Sequence, residues 1–578
     1  MDNRRLILLI VFATSLFLLW DAWQKHNQPQ VAVQQAMPVQ ANNSPLPVPS
    51  IPQSGVPALA SSPAIPPLSA IAAAPKGEMV TVKTDLFVAD ISVQGGDIVK
   101  LALNNYKASV AKSSSFLLFE DKHHYLAQSG LIGEGLPNHK TVFSVARGNR
   151  ELGPDANTLQ LRLEAPSVNG VKVSKLYTFT RGSYLINVGY EIDNGSQKEI
   201  LAHAYYQLQR DNVTPDGENS MVSTFTGPAI YTEQEKFQKV EFSDVEKGKA
   251  KFSQKADNGW VGMVQHYFVS AWVPAESVPR EFFIRKQDGS NPMTVSAGVI
   301  VPIPAAAPGS KINQSVSLYA GPQIQSALEQ LAKPVVDGGI GAKGLPLVVD
   351  YGWLTIVAAP IFWCLDVIHQ FVGNWGWAIV LLTIGIKLIF FPLSAASYKS
   401  MAKMRTVTPR MTALKERYGD DKQKLNTEMM NLYKTEKINP LGGCLPIVVQ
   451  IPVFIALYWA LLGAVEMRGA PWLLWITDLS VPDSLFGVIP LINIPVGPLP
   501  IIMVITMMIQ TKLNPTPPDP IQAKVMMLMP FIFGFMFFSF PSGLVLYWVV
   551  NNILSIAQQW QITRMIENGG KATNDAKH

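Results

Sequence analysis

The sequence predicts a polytopic α-helical membrane protein with six spans, the last five forming one core, that carries a large antiparallel β-sandwich domain outside the membrane. Three observations carry this expectation. The chain of 578 residues is 48% hydrophobic and only 15% charged, and beyond residue 350 it consists mostly of apolar segments of membrane length. Residues 79–345 instead alternate apolar and polar side chains with the period of a half-buried strand. A short apolar run behind two arginines opens the chain.

In that first element Arg4 and Arg5 precede the apolar residues 6–20, followed by Asp21 and Trp23. No small-x-small cleavage site comes after the run and aromatics crowd its exit, so residues 1–26 read as an uncleaved signal anchor with a span at 6–22. The arginines hold the N-terminus in the cytoplasm and put the residues beyond the span outside. Residues 27–75 contain no charged side chain and are dominated by Pro, Ala, Gln, Val and Ser. Such a stretch cannot offset its conformational entropy by burial, which makes residues 27–78 a disordered, extended tether.

The β-domain is expected over residues 79–345. Leu159, Leu161 and Leu163 alternate with Gln160 and Arg162, and Ile186, Val188, Tyr190 and Ile192 with Asn187, Gly189 and Glu191. Asn169-Gly170 and Asn194-Gly195 suit tight hairpins, where positive φ is wanted. Ile324, Leu328 and Leu331 mark a terminal helix stopped at Lys333-Pro334. His123, His124, His139, His203 and His266 are scattered, with no paired carboxylates or nucleophile motif, so a binding or scaffolding domain is expected rather than an enzyme. The two cysteines, Cys364 and Cys444, lie in the hydrophobic part without CxxC or clustered His, giving no disulfide framework and no metal or redox cofactor. A net charge of +5 does not by itself imply nucleic acid.

Residues 351–372 are long enough to span, yet carry Pro360, Asp366, His369 and Gln370 among Trp353, Phe362 and Trp363. That mixture suits a helix lying in the interface, assigned to residues 346–374. The five-span core, residues 375–566, has spans at 375–395, 442–464, 491–511, 525–540 and 544–565, the last two parted by Pro541-Ser542-Gly543, and a cytoplasmic tail at 567–578. Lys399, Lys403, Arg405, Arg410, Lys415, Arg417, Lys422, Lys424, Lys434 and Lys437 lie in one connection, far more basic residues than in the loop holding Arg468. Short basic loops stay cytoplasmic, and this parse puts that connection, the 512–524 loop and the C-terminus all inside. Counting 351–372 as a span would put all three outside.

The basic connection, residues 398–438, reads as a helical hairpin. Met401, Met404, Met411 and Leu414 form one apolar stripe, Leu425, Met429, Leu432 and Tyr433 a second, Gly419-Asp420-Asp421 the turn and cap, and Pro409 a kink. Two readings of its charges stand: they enforce topology alone, or they meet ribosomes, nascent chains or anionic headgroups.

The sharpest feature is Lys387, a lone cation about 13 Å by helical rise from the cytoplasmic end of an uncharged apolar segment. A charge at that depth is expected to face water or a polar cavity. None of the five expected core spans contains Asp, Glu or His, and the first span has only Asp21 at its outer end, so Lys387 has no counter-ion within the core. No GxxxxGK[ST] pattern is present, and no nucleotide is expected.

Asn439-Pro440-Leu441-Gly442-Gly443-Cys444 with Pro446 and Gln450-Ile451-Pro452, Tyr418-Gly419-Asp420-Asp421-Lys422, Trp475-Ile476-Thr477-Asp478-Leu479-Ser480, and Phe540-Pro541-Ser542-Gly543-Leu544 with Leu546-Tyr547-Trp548 are all present. In these motifs the chain closely resembles the YidC/Oxa/Alb family of membrane protein insertases, in its Gram-negative type with a large periplasmic domain. The resemblance implies a bacterial inner-membrane protein with both termini cytoplasmic and a periplasmic supersandwich similar to sugar-mutarotase folds. It implies insertion and folding of nascent membrane proteins without nucleotide hydrolysis, alone or beside the Sec translocon and its accessory proteins, in contact with ribosome and lipid bilayer. It further implies a polar groove in which Lys387 receives a substrate's hydrophilic tail, lined by Thr383, Gln450, Gln510, Tyr547, Trp548 and Asn551, with Asn552 next in the chain. For those other residues, a helix–helix hydrogen bond or interfacial packing is the alternative. A periplasmic carbohydrate- or protein-binding domain on a multispan anchor is the competing function. Two departures stand out: most bacterial relatives carry Arg where this chain has Lys387, and the proline-rich run between Ser480 and Pro500 is longer than in better-known members.

Overall fold

Period-two patterning becomes two nine-stranded antiparallel sheets in the computed structural model, which describes residues 77–109, 112–215, 224–287, 289–419, 421–436, 445–489, 494–514 and 520–575. Outside the described residues lie the expected span at 6–22, all but the last two residues of the tether, Asp420, the 439–444 motif, the Arg405 side chain and residues 576–578.

One sheet runs Met79–Lys83, Phe87–Ser92, Ile98–Ser109, Leu126–Ile132, His203–Asp211, Thr294–Pro302, Arg280–Lys286 and Lys255–Ala256, with Lys112–Phe119 also paired to Ile98–Ser109. The other runs Lys236–Lys239, Gly227–Thr232, Trp260–Gln265, Phe268–Val273, Lys311–Pro322, Leu185–Asn194, Val171–Thr180, Thr158–Glu164 and Ser144–Val145. Leu159, Leu161 and Leu163 are buried while Gln160 is exposed, and Ile186, Val188, Tyr190 and Ile192 are buried on the strand two places away. Their inner faces meet those of the first sheet, as where the Tyr206 and Trp272 ring centroids lie 5.0 Å apart. Alternation disappears in Trp260–Gln265 and Phe268–Val273, where every residue is buried. The outer face of these strands is also covered: Trp260, Val269 and Ala271 share an apolar cluster with Leu328 and with Ala358 and Ala456 of the helical part.

Asn169 (φ 50°) and Gly170 (φ +81°) make the expected tight turn. Asn194-Gly195 does not, because there the chain leaves one sheet for the other. The buried Asn194 amide donates to Lys198 O and Ala306 O, both at 2.8 Å, and so closes a longer connection to His203–Asp211.

The helices are α1 (Phe242–Glu246), α2 (Gln325–Ala332), α3 (Thr355–Val372), α4 (Trp375–Ile389), α5 (Phe391–Tyr418), α6 (Lys422–Thr435), α7 (Leu445–Gly463), α8 (Pro498–Leu513), α9 (Pro520–Phe537) and α10 (Ser542–Asp575). The expected span at 375–395 is not one straight helix: α4 and the first part of α5 meet at 67° across Phe390. Pro392 lacks the N–H that would continue the α4 ladder and starts α5 instead. α5 runs on as one helix through Pro409. The helix expected from 491 begins at Pro498, because Ile494–Pro495 pairs with Val488–Ile489 as a small hairpin. α10 extends into the expected tail. Among the described residues, Gly352–Val372 alone is long and apolar enough as a single helix to cross a membrane; α4 with the first part of α5 passes as a bent pair, and 449–463, 498–513 and 523–537 are shorter apolar helices.

The β-domain is tied to the helices by polar contacts as well as apolar ones. Trp260 Nε1 donates to Lys343 O at 3.0 Å, and Lys239 pairs with Asp350 at 2.5 Å. The His266 ring nitrogen Nε2 meets Leu462 O at 3.0 Å. Beyond α7, Arg468 Nη2 donates to Lys107 O at 3.0 Å and Ala108 O at 3.4 Å, its guanidinium lying over Phe116, Tyr267 and Phe268. Gly352 (φ +63°) lies against the Trp459 indole, where a Cβ would meet ring atoms at 2.8 Å.

Candidate functional site

α4 starts where Asn374 caps it, its Oδ1 accepting from Trp377 N at 3.1 Å. Four residues apart on one face, Thr383 and Lys387 both point into the bundle, 1% and 8% exposed. The Thr383 hydroxyl donates to Ile379 O of its own helix at 2.6 Å. Lys387 Nζ donates to Ser555 Oγ on α10 at 2.7 Å, and Ser555 Oγ donates to Asn551 O at 2.7 Å. The Tyr398 hydroxyl of α5 also hydrogen-bonds the Ser555 side chain. Among the described residues Lys387 forms no ion pair, and Ser555 is its hydrogen-bond partner.

A polar ladder climbs α10 from this point. Gln450 on α7 donates Nε2 to Asn551 Oδ1 and to Tyr547 Oη, the latter at 3.4 Å. Asn552 Nδ2 donates to Thr506 Oγ1 of α8 at 3.2 Å, and Gln559 Nε2 to Leu513 O at 2.9 Å. These bonds join α7, α8 and α10, the helix–helix role that such residues play in membrane bundles. Beside Lys387 is a cleft lined by Ile386, Phe390, Leu393, Val449 and Val453 together with Ser394 and Gln450. Its volume of about 20 Å³ admits about one water molecule.

The structure therefore brings Lys387 together with Ser555, and Gln450 with Asn551 and Tyr547. Trp548 sits apart, in an aromatic cluster with Phe454 (4.9 Å) and Phe537 (5.7 Å). Gln510 is half-buried on α8, one turn beyond Thr506, and the ladder's bond to that helix runs through Thr506 instead. Ser555, Thr506 and Tyr398 were not singled out by sequence reasoning. The signal for Ser555 was the spacing of Trp548, Asn551, Asn552, Ser555 and Gln559 along one face of a single apolar helix.

In the basic hairpin, Val407 and Met411 are buried against Met404, Met429, Leu432 and Tyr433. Asp421 Oδ1 accepts from Lys424 N at 3.0 Å and caps α6. Arg410 pairs with Glu436 at 2.6 Å, and Arg417 and Lys424 lie over the Tyr418 ring. Lys403 and Arg417 are exposed.

The β-domain holds a buried charge pair that sequence reasoning missed. Lys175 Nζ lies 3.9 Å from Asp97 and donates to Gly95 O at 2.9 Å, while Gln128 Nε2 donates to Asp97 Oδ2 at 2.8 Å. Burial pushes the Asp97 carboxyl up to about 7 and the Lys175 ammonium down to about 8, each opposed by the charge of the other. Both side chains are inside the sandwich, out of reach of a ligand. His123 is likewise buried and bonded to Asp211 at 3.2 Å, and among the described residues no group of three His, Cys, Asp or Glu side chains is placed to hold a metal.

Residues 79–364 match the family described as the YidC periplasmic domain, and residues 367–569 the 60Kd inner membrane protein family. A protein of Dechloromonas aromatica named membrane protein insertase YidC is 60% identical over 577 residues, covering 100% of both chains. One of the same name from Aromatoleum aromaticum is 56% identical over 572 residues, covering 98% of each. A crystal structure of an active YidC insertase with its first transmembrane domain resolved covers 84% of this chain and 92% of its own, at 17% identity and a TM-score of 0.40. The buried lysine, the bundle around it and the β-domain docked on that bundle thus occur in a chain that is similar to its relatives from end to end, and it belongs to the YidC family.

Proposed function

We propose that this chain inserts and folds integral membrane proteins in the bacterial inner membrane, independently or beside the Sec translocon, by receiving a substrate's hydrophilic segment at Lys387. Similarity over the whole chain to proteins named membrane protein insertases supports the general activity. The single observation behind the site is a buried ammonium held by a neutral hydroxyl with no acidic partner among the described residues. The work done is transfer of a polypeptide between environments, not bond chemistry. A guest carboxylate takes the ammonium from Ser555, the polar ladder spares the tail part of its desolvation cost, and the apolar substrate helix then leaves into lipid with a large hydrophobic gain. Five spans behind an N-terminal anchor, α3 in the interface, both termini in the cytoplasm and the basic hairpin facing the ribosome complete this reading. The 67° turn at Phe390 supports it, since it carries the chain out of the α4 direction one turn beyond Lys387.

The test is insertion, in proteoliposomes without Sec components, of a single-span substrate with an acidic translocated tail. Lys387→Glu should abolish insertion and Lys387→Arg should retain it. Normal insertion by the Glu variant would sink the docking role.

A further inference from the structure

The proline-rich segment before α8, left unexplained by the insertase reading, has an architecture of its own. From Ser484 to Thr511 the sequence has no charged residue and no histidine. Only the second part of that run is helix: α8, 16 residues, spans about 24 Å, against about 30 Å for a hydrocarbon core. Before it, Val488–Ile489 pairs with Ile494–Pro495, Phe486 N donates to Val496 O at 2.9 Å and Val496 N to Gly487 O at 2.8 Å. The buried Asp483 staples this hairpin to the helix: its carboxylate accepts from Leu499 N at 2.8 Å, Trp475 Nε1 at 3.1 Å and Leu485 N at 3.4 Å. Gly497 is required there, because any Cβ would collide with that carboxylate.

What this scaffold holds outward is apolar. Leu485, Phe486, Val488 and Ile489 are 55%, 64%, 48% and 43% exposed, and α8 continues with exposed Ile501, Ile502 and Ile505. A two-stranded hairpin of this size gains little in water by showing its apolar side chains to it. The loop lies on the β-domain side of the bundle, since Arg468 in the same connection bonds Lys107 O. Trp377, 44% exposed, opens α4 at that end with its ring 5.9 Å from Trp472, as interfacial tryptophans do.

We infer that the hairpin around Leu485–Ile489 is a lipid-inserted foot, embedded among acyl chains of the leaflet on the β-domain side and extending the apolar height of α8. The occupant of this surface is lipid because the uncharged surface is continuous with that of a membrane helix too short to fill the core. The inference does not depend on the role of Lys387.

The experiment places a single environment-sensitive fluorophore at Phe486→Cys, and separately at Leu485→Cys, in full-length protein with Cys364 and Cys444 replaced by serine. Each is reconstituted in phosphatidylcholine/phosphatidylglycerol vesicles, with Leu201→Cys on the β-domain as water-exposed control. Nitroxide on the lipid acyl chain should quench Phe486 and Leu485 labels several-fold more than aqueous iodide does, with the order reversed at Leu201. Iodide quenching equal to the Leu201 control would overturn the inference, and so would resistance to both quenchers, which would mean that protein covers the hairpin.

Discussion

Replacing Arg468 by alanine should loosen the β-domain from the helices without unfolding either. Its guanidinium makes one good hydrogen bond to Lys107 O at 3.0 Å, a weaker one to Ala108 O at 3.4 Å, and lies over three aromatic rings at 5.2–5.6 Å. A hydrogen bond from a charged group contributes about 1.5–3 kcal/mol and a partly buried cation–π contact about 0.5–2 kcal/mol. Burial works against the sum by disfavouring the charged form, which holds the Arg468 pKa below its ordinary value. The net loss is then about 3 kcal/mol, on the order of a hundredfold in the opening equilibrium of this contact. Hydrogen exchange on the full-length protein in nanodiscs reads it directly. The amides of Val465–Met467 and Lys112–Phe119 should exchange faster by that order, while Leu185–Asn194, in the sandwich away from Arg468, should not change. Arg468→Lys, which keeps charge and loses the planar fork, should fall between. Wild-type exchange in the Val465–Met467 turn of the alanine variant would refute the anchor.

The same turn should respond to pH. Burial pushes the Glu466 carboxyl up to about 7, and its Oε1 accepts from Gln325 N at 3.3 Å. A carboxyl raised in the folded state contributes stability in full below its unfolded pKa and loses it as pH rises through about 7; the shift corresponds to about 3 kcal/mol. Protection of the turn, as the observed exchange rate relative to the intrinsic rate at each pH, should therefore be higher at pH 5 than at pH 8, and Glu466→Gln should flatten that difference. For the Asp97–Lys175 pair, Asp97→Leu or Lys175→Met alone leaves one buried charge unmatched and should cost about 3–5 kcal/mol, while the double variant should lose far less than the sum. Thermal unfolding of the full-length protein measures all three, and simple additivity would mean that the two charges do not compensate each other.

The parts legible in the sequence were those set by local period and local chemistry. Leu159, Leu161 and Leu163 announced a strand with one buried face, and Ile324, Leu328 and Leu331 a helix packed through the buried Leu328 with the other two half-buried. Central strands such as Phe268–Val273 lack that signature, because bundle residues far along the chain cover their second face. The Asp97–Lys175 pair was invisible for the same reason: nothing near either residue marks the other. At the membrane site Lys387 stood out because a charge is rare in such a segment, whereas Ser555 is an unremarkable residue in any membrane helix. Asn194-Gly195 failed as a hairpin signal because its amide serves carbonyls across a connection between sheets, which turn statistics do not register.

On the proposed reading, the neutrality of Ser555 is what makes Lys387 usable. An ammonium has three donors, and among the described residues one is engaged, to Ser555. A resident carboxylate at about 4 Å would hold the cation by about 4 kcal/mol at an effective dielectric of 20, besides its hydrogen bond, and every substrate would have to break that attraction. A hydroxyl offers about 2 kcal/mol and is itself already satisfied toward Asn551 O, so it gives up the ammonium without becoming an orphan. The rest of the ladder is paired within itself, Gln450 with Asn551 and Asn552 with Thr506. The bundle thus keeps its rigidity in residues that bond to one another and leaves its one deep charge, among the described residues, on a partner weak enough for a passing carboxylate to displace.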